Sequence, residues 1–438
     1  MKNLKSQVMQ KKAKKLIPGM SQLLSKRPDM FSLGVWPAYY SKAKGSKVWD
    51  LDGNEYVDMS IGGIGANVLG YADPDVNTAV IEAVKNGSSS SLNCPEEVEL
   101  AQVLCHMHPW AQMVRFARSG GESMAVAVRI ARAHTGRDVV VLCGYHGWHD
   151  WYLAANVGTQ NALGEHLIPG LSPAGVPRAL KGTTHVFRYN DLVSLEKVVS
   201  KNRNKIAAIV MEPVRSAQPV LGFLEGVRQL ADEEGAVFII DEISAGFRIN
   251  CGGAHLTYGI KPDIAVFSKA LGNGYPIAAI IGRASVMESA QKSFISSTMW
   301  TERIGPVAAL ATIKKFKAVK AHEHLMAIGF AVQEGWKAAG KRHGLAVKTS
   351  GIYPLSHFVF DDKDNLIMKA FFVQEMLLKG FLASNSFYSM FSHTKKHVAD
   401  YLIAVDEVFG RIRQLRDTCK LRAALKGEPS AMGFKRIT

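Results

Sequence analysis

Val237-Phe238-Ile239-Ile240-Asp241-Glu242 and, further on, Ile264-Ala265-Val266-Phe267-Ser268-Lys269 are the stretches that decide the fold of this 438-residue chain. Each is a short run, apolar at every position until it ends on polar or charged residues. A strand with one wet face alternates apolar and polar side chains. Runs without alternation are buried on both faces, as in a parallel sheet covered by helices. Working outward, runs of the same kind are Met113–Ala117, Val139–Cys143, Ile206–Met211 and Ala278–Ile281. Helical stretches lie between several of them, notably Glu122–His134 and Gly226–Glu234. From about residue 75 to 310 the chain therefore reads as an α/β domain with a mainly parallel sheet.

The flanks read differently. The first ~45 residues suggest a helix and a connecting arm, with breaks at Pro18-Gly19 and Pro28. A hairpin follows, Lys47–Asp50 and Glu55–Asp58 around the turn Asp52-Gly53-Asn54. After the α/β region come a long helical stretch, Pro306–Phe330, short strands near Tyr353–Phe360, and further helices. The expected organisation is an N-terminal arm and hairpin (1–70) packing with a C-terminal small α+β domain (311–438), and a large domain (71–310) between them.

Composition narrows the function classes. With 47% hydrophobic and 21% charged residues the chain is globular, neither disordered nor collagen-like. No run approaches the ~20 apolar residues of a membrane span. The basic N-terminus, MKNLKSQVMQKKAKKL, is followed by no apolar stretch of signal-peptide length. Five scattered cysteines (Cys94, Cys105, Cys143, Cys251, Cys419) form no C-x-x-C pair, so neither a metal site nor a disulfide framework is expected, and a reducing cytoplasm is the expected home. The net charge of +15 is concentrated at the ends, in Lys2, Lys5, Lys11, Lys12, Lys14 and Lys15 and in Arg411, Arg413, Arg416, Lys420, Arg422 and Lys426. No nucleic-acid motif accompanies it, so these read as solvated helix faces. Small molecules, not nucleic acid or membrane, are the expected partners.

Ligands of open α/β sheets bind at the carboxyl ends of the strands. Those ends here carry Ser119-Gly120-Gly121-Glu122 at a helix start, Gly144-Tyr145-His146-Gly147, Glu212-Pro213, Asp241-Glu242 and Ser268-Lys269. Glycines opening a helix make an anion site from backbone N–H groups and the helix dipole. No G-x-G-x-x-G or G-x-x-x-x-G-K-[ST] pattern accompanies them. Asp241, ending an apolar strand, needs a partner, and a cationic ring nitrogen is one. Lys269, between an apolar strand and the glycine loop Gly272-Asn273-Gly274, is placed for desolvation, which lowers an amine's pKa and suits imine formation. A capping carboxylate and a surface lysine would explain the two residues singly. An anion turn, an aspartate and a lysine together are the parts of a site for pyridoxal phosphate.

At these residues the chain resembles the class III (ω-type) aminotransferases of PLP fold type I, from about Trp36 to Arg411. The resemblance rests on Val48–Asp58, Gly144–Gly147, Met211–Pro213, Asp241-Glu242-Ile243-Ser244-Ala245-Gly246-Phe247-Arg248 and Pro262–Gly274. Within the class it is similar to the glutamate-1-semialdehyde aminomutase branch. The resemblance implies that 71–310 is the PLP-binding domain, that Lys269 carries the cofactor as a Schiff base and moves the substrate proton, and that Asp241 pairs with the pyridine nitrogen. It implies Ile243 and Tyr145 on the two ring faces, Gly120 and Gly121 at the phosphate, and Glu212 and Ser244 near the phenolic edge. Ser244 stands where the family often has glutamine. Thr301, five residues before Pro306, would reach the phosphate of a partner subunit, with Thr298 as the fallback, which implies a homodimer. The reaction implied is ping-pong transamination.

Two departures bear on the substrate. The aminomutase pattern carries an arginine near the N-terminus and a glutamate in the C-terminal domain. The corresponding stretches, Trp36-Pro37-Ala38-Tyr39-Tyr40 and Ser386-Phe387-Tyr388-Ser389-Met390, hold neither. Ser297–Pro306, Ile17-Pro18-Gly19 and Leu24–Pro28 resemble class III members of bacterial surface-polysaccharide synthesis, among them aminotransferases that make 8-amino-3,8-dideoxy-octulosonate. The expectation is a transaminase moving nitrogen from L-glutamate to an acidic sugar with a terminal aldehyde. The alternative is the aminomutase. Loss of the lysine would have favoured a non-enzymatic binding module, and Lys269 is present.

Overall fold

The computed structural model describes residues 4–166 and 168–434. Lys2 lies outside the described residues. The chain divides into two compact units, one of residues 74–322 and one made of the residues up to 73 together with those from 323 onward.

The discontinuous unit opens with the helix Leu4–Leu16 and short 3-10 turns at Pro18–Met20 and Pro28–Met30. Strands β1 (Tyr40–Lys44), β2 (Lys47–Asp50) and β3 (Glu55–Met59) follow. The β2–β3 hairpin forms where its turn signal lies. The Asp50 carboxylate accepts hydrogen bonds from the Asp52 and Asn54 N–H groups, each at 2.9 Å, which closes the turn.

The unit of residues 74–322 holds β4 (Met113–Ala117), β5 (Val139–Cys143), β6 (Thr184–Val186), β7 (Ile206–Met211), β8 (Val237–Asp241), β9 (Ile264–Phe267) and β10 (Ala278–Gly282). They form one sheet in the order β4-β10-β9-β8-β7-β5-β6. Strands β6, β5, β7, β8 and β9 are mutually parallel, and β10 runs antiparallel between β9 and β4. Val237, Phe238, Ile239 and Ile240 are all buried, with apolar clusters on both faces of the sheet. Burying such a side chain contributes ~1.5–3 kcal/mol, so the apolar runs specify the centre of the sheet. Strand β10 is equally buried, and an apolar run carries no information about strand direction.

The helix behind β4 spans Gly120–Thr135 and ends on Gly136 in the left-handed conformation. The stretch read as one long helix from Pro306 is two helices, Ile304–Ala318 and Ala321–Arg342. Lys320 between them has φ +48°, which no helix interior accommodates. The discontinuous unit is completed by β11 (Val347–Ser350), β12 (Leu355–Phe360), β13 (Phe381–Ala383) and β14 (Ser386–Tyr388). Strand β13 pairs in parallel with β3, and β11, β12 and β14 form a separate antiparallel sheet. In the C-terminal helix Lys395–Asp417, Arg413 pairs with Asp417 and Arg416 with Asp362. These basic residues are thus solvated and neutralised within the chain.

Candidate active site

Register decides which strand ends meet. Met211 is level with Ile240, and Asp241 with Val266. Glu212, Asp241 and Lys269 therefore leave three adjacent parallel strands at the same edge, with neighbouring strands ~4.8 Å apart.

Asp241 is buried, and its carboxylate is held from two sides. The Ile243 N–H donates to Oδ1 at 2.9 Å, and Oδ2 lies 2.7 Å from Nδ1 of the buried His146. His146 Nε2 lies 3.1 Å from the Cys143 carbonyl, which only accepts, so Nε2 carries a proton. Both ring nitrogens thus face oxygen atoms, and the imidazole, fixed between the end of β5 and the carboxylate, orients Asp241. Sequence reasoning quoted His146 inside Gly144–Gly147 without giving it a role.

Lys269 Nζ donates to Ser244 Oγ at 2.7 Å. Burial lowers the lysine pKa from its usual 10.5 to about 8; the Arg215 guanidinium pushes the same way, against the opposing pull of Glu212 and Asp241. The lysine backbone lies at φ +47°, a conformation that costs a residue with a Cβ about 1–3 kcal/mol. No sequence pattern announces that strain. It turns the side chain away from the strand direction of β9 and into the cluster.

Glu212 is buried. Its Oε1 accepts from Arg215 Nη1 at 2.7 Å and its Oε2 from the Tyr145 N–H at 3.3 Å. The half-buried Tyr145 ring meets Tyr152 edge-on, and Tyr152 donates to the Gly144 carbonyl at 3.1 Å. Arg248, also buried, donates to the Ser244 carbonyl at 3.2 Å. The sequence reading stopped short of Arg215 at Glu212-Pro213, and it quoted Arg248 at the end of its stretch without giving it a role.

At the start of the helix Gly120–Thr135, Glu122 reaches back to accept from the N–H groups of Arg118 (3.0 Å) and Ser119 (3.3 Å). The N–H groups of Gly120 and Gly121 are left pointing out of the helix end. A Cβ on Gly120 would stand 3.0 Å from the Ile243 side chain, so Ile243 packs directly on the turn. Gly147, at φ +104°, brings its backbone so close that a Cβ there would lie 2.8 Å from the Gly121 Cα. The Gly144–Gly147 loop is thereby laid across the helix end.

The structure thus brings together Gly120, Gly121, Tyr145, Glu212, Asp241, Ile243, Ser244 and Lys269. Thr301 is not among them. It is exposed in a 3-10 turn, Thr298–Thr301, where its hydroxyl donates to the Thr298 carbonyl at 3.0 Å. Arg118 fixes this segment by donating to the Trp300 and Glu302 carbonyls, each at 2.8 Å. No cluster of His, Cys, Asp and Glu suited to a metal occurs among the described residues.

The donor set fits pyridoxal phosphate on this geometry. It has an anion cradle stripped of side chains by close approach, a buried carboxylate backed by an imidazole, and a desolvated amine one strand away. Comparison with known proteins agrees. The family model "Aminotransferase class-III" matches residues 32–384. The chain is 34% identical over 406 residues to the glutamate-1-semialdehyde 2,1-aminomutase of Dechloromonas aromatica, covering 87% of this chain and 93% of that one. It is 34% identical over 322 residues to the 3-aminobutyryl-CoA aminotransferase of Cloacimonas acidaminovorans, covering 72% and 73%. Among solved structures, the FumI protein of Sphingopyxis sp. MTA144 superposes with a TM-score of 0.86 at 25% identity, covering 98% and 99% of the two chains. An ω-transaminase from Sphaerobacter thermophilus shares the fold, with a TM-score of 0.82 at 24% identity over 93% and 98%. The chain belongs to the class III aminotransferases, the pyridoxal-phosphate-dependent transaminases of fold type I.

Proposed function

We propose that this transaminase moves an amino group from L-glutamate to the terminal aldehyde of an acidic sugar, with 8-oxo-3-deoxy-octulosonate of surface-polysaccharide synthesis as the acceptor. The observation that carries the transaminase chemistry is the placement of Lys269 Nζ, desolvated and one strand from Asp241. The acceptor rests on the resemblance of Ser297–Pro306 and Leu24–Pro28 to polysaccharide-associated members.

When bound, pyridoxal phosphate supplies an aldehyde for the substrate nitrogen and a protonated ring that accepts electrons. The chain's residues do the rest. Gly120 and Gly121 hold the phosphate with backbone N–H groups. Asp241, backed by His146, keeps the ring nitrogen protonated. Ile243 and Tyr145 flank the ring, and Glu212 and Ser244 serve its phenolic edge. Lys269, with a pKa near 8, is neutral in a useful fraction of molecules at neutral pH and takes and returns the substrate proton at Nζ. Residues 74–322 form the cofactor domain, Thr301 serves the site of a second subunit in a homodimer, and the free cysteines suit a cytoplasmic enzyme.

The second reading is the aminomutase, favoured by the 34% identity over 87% of the chain. Donor dependence separates the two. The holoenzyme is mixed with L-glutamate, and loss of the pyridoxal absorbance is followed; candidate aldehydes are then tested for restoring it. Stoichiometric release of 2-oxoglutarate and formation of an amino sugar support the proposal. Efficient conversion of glutamate-1-semialdehyde to 5-aminolevulinate with no donor added would overturn it in favour of the mutase.

A further inference from the structure

The residue that the assigned roles leave over is Arg215. Its side chain is 15% exposed, enclosed but reachable, whereas Arg248 is sealed in the core. Its loop is pinned at both ends. Tyr189 donates to the Pro213 carbonyl at 2.7 Å, Asn190 donates to the Gln218 carbonyl at 2.9 Å, and Tyr258 donates to Gln218 Oε1 at 2.5 Å. Val214, beside the arginine, is buried. The guanidinium therefore sits in a built position, close enough to Lys269, Tyr145 and Tyr152 to act electrostatically on all three.

A guanidinium beside an amine that must accept a proton opposes that proton, while Glu212 and Asp241 pull the other way. A second carboxylate arriving from solution would add to that pull. Arginine suits this because its five N–H groups form a rigid fork that can serve two carboxylates from different edges, which a lysine cannot do.

We propose that Arg215 is a substrate anchor that shares its guanidinium between Glu212 and the carboxylate of the amino donor or oxo-acid product, so that the enzyme selects carboxylate-bearing substrates through the loop after β7. This rests on the transaminase reading and names the anion contact that the stretch Trp36–Tyr40 does not supply.

The test is calorimetric binding of glutarate and 2-oxoglutarate to holoenzyme, with pyridoxal phosphate affinity measured in parallel by absorbance. In Arg215→Gln the dissociation constants of both acids rise 30–100-fold, while cofactor affinity changes less than threefold. In Arg215→Lys, which keeps the charge beside Glu212 and guards against misfolding, the acids weaken about 3–10-fold. An unchanged glutarate constant in Arg215→Gln, or a loss of cofactor affinity as large as the loss of acid affinity, would overturn the proposal. Failure of the transaminase reading looks different: wild-type holoenzyme would bind glutarate, yet no amine would shift its absorbance.

Discussion

Replacing Lys269 with methionine is expected to abolish transamination and to stabilise the cofactor-free protein near neutral pH. The magnitude follows from the site. The lysine pKa falls from 10.5 in the open chain to about 8 in the fold. Each unit is worth about 1.4 kcal/mol, so holding the ammonium in this site costs roughly 3 kcal/mol at pH 7. Methionine has a similar length and no charge. It forfeits the Nζ–Ser244 hydrogen bond, worth ~1 kcal/mol, and leaves that hydroxyl without its donor. The strained backbone at φ +47° is unaffected, because both side chains carry a Cβ. The net expectation is a gain of about 1–2 kcal/mol. Its sign with pH is fixed. Between pH 8 and 10.5 the unfolded chain binds more protons than the folded one, so wild-type stability rises across that window relative to the variant. The methionine advantage is complete below pH 8, falls to zero near pH 9 and reverses to a deficit of about 1–2 kcal/mol by about pH 10.5. Urea unfolding of cofactor-free wild type and variant at pH 7 and pH 10 reads it directly. A variant less stable at pH 7, or a difference that does not shrink by pH 10, would refute the reasoning.

Asp241→Asn should retain the cofactor but transaminate roughly 100-fold slower or worse, because an amide cannot hold the ring nitrogen protonated; near-normal turnover would show that Asp241 is not the ring partner. Gly147→Ala should destabilise by about 2–4 kcal/mol, since its φ of +104° and the 2.8 Å approach to the Gly121 Cα exclude a methyl group. A thermal melt shifted by less than 1 kcal/mol would contradict that account. Sedimentation at assay concentration should find a dimer, and a fully active monomer would remove the role proposed for Thr301.

The sheet was legible because doubly buried strands leave an unbroken apolar signature, and because Asp241 and Lys269 interrupt that signature where the strands stop. The glycines of Ser119-Gly120-Gly121 were legible as a turn. Strand direction was not, since the run Ala278–Ile281 would read the same either way along the sheet. The break at Val319-Lys320 was hidden because lysine carries no left-handed signal, unlike glycine or asparagine. His146, Arg215 and Arg248 were visible as residues but not as neighbours. Each acts across a loop or between strands, and one chain without pairing information does not say which loop folds toward which strand end. Thr301 is proposed for the site of a second subunit, so its place outside this chain's cluster is no departure from the sequence reading.

The same geometry explains why so much chemistry can be placed with so little dedicated structure. Parallel strands end in register, and the residues just past their ends are released from the ladder while their Cα positions stay fixed by it. Glu212, Asp241 and Lys269 inherit their mutual spacing from β7, β8 and β9, whose burial is what stabilises the unit. Loops need only trim that arrangement. The Gly144–Gly147 loop delivers His146 to Asp241 and Tyr145 to Glu212, and its closing glycine lets it lie across the helix end at Gly121. The loop after β7 delivers Arg215 beside both Glu212 and Lys269. The spacing of the three side chains is thus set by the core, while in the proposal made above the loop residues set what the site accepts. Substitutions that alter the substrate should accordingly fall in the loop 213–218, and those that abolish chemistry at the three strand ends.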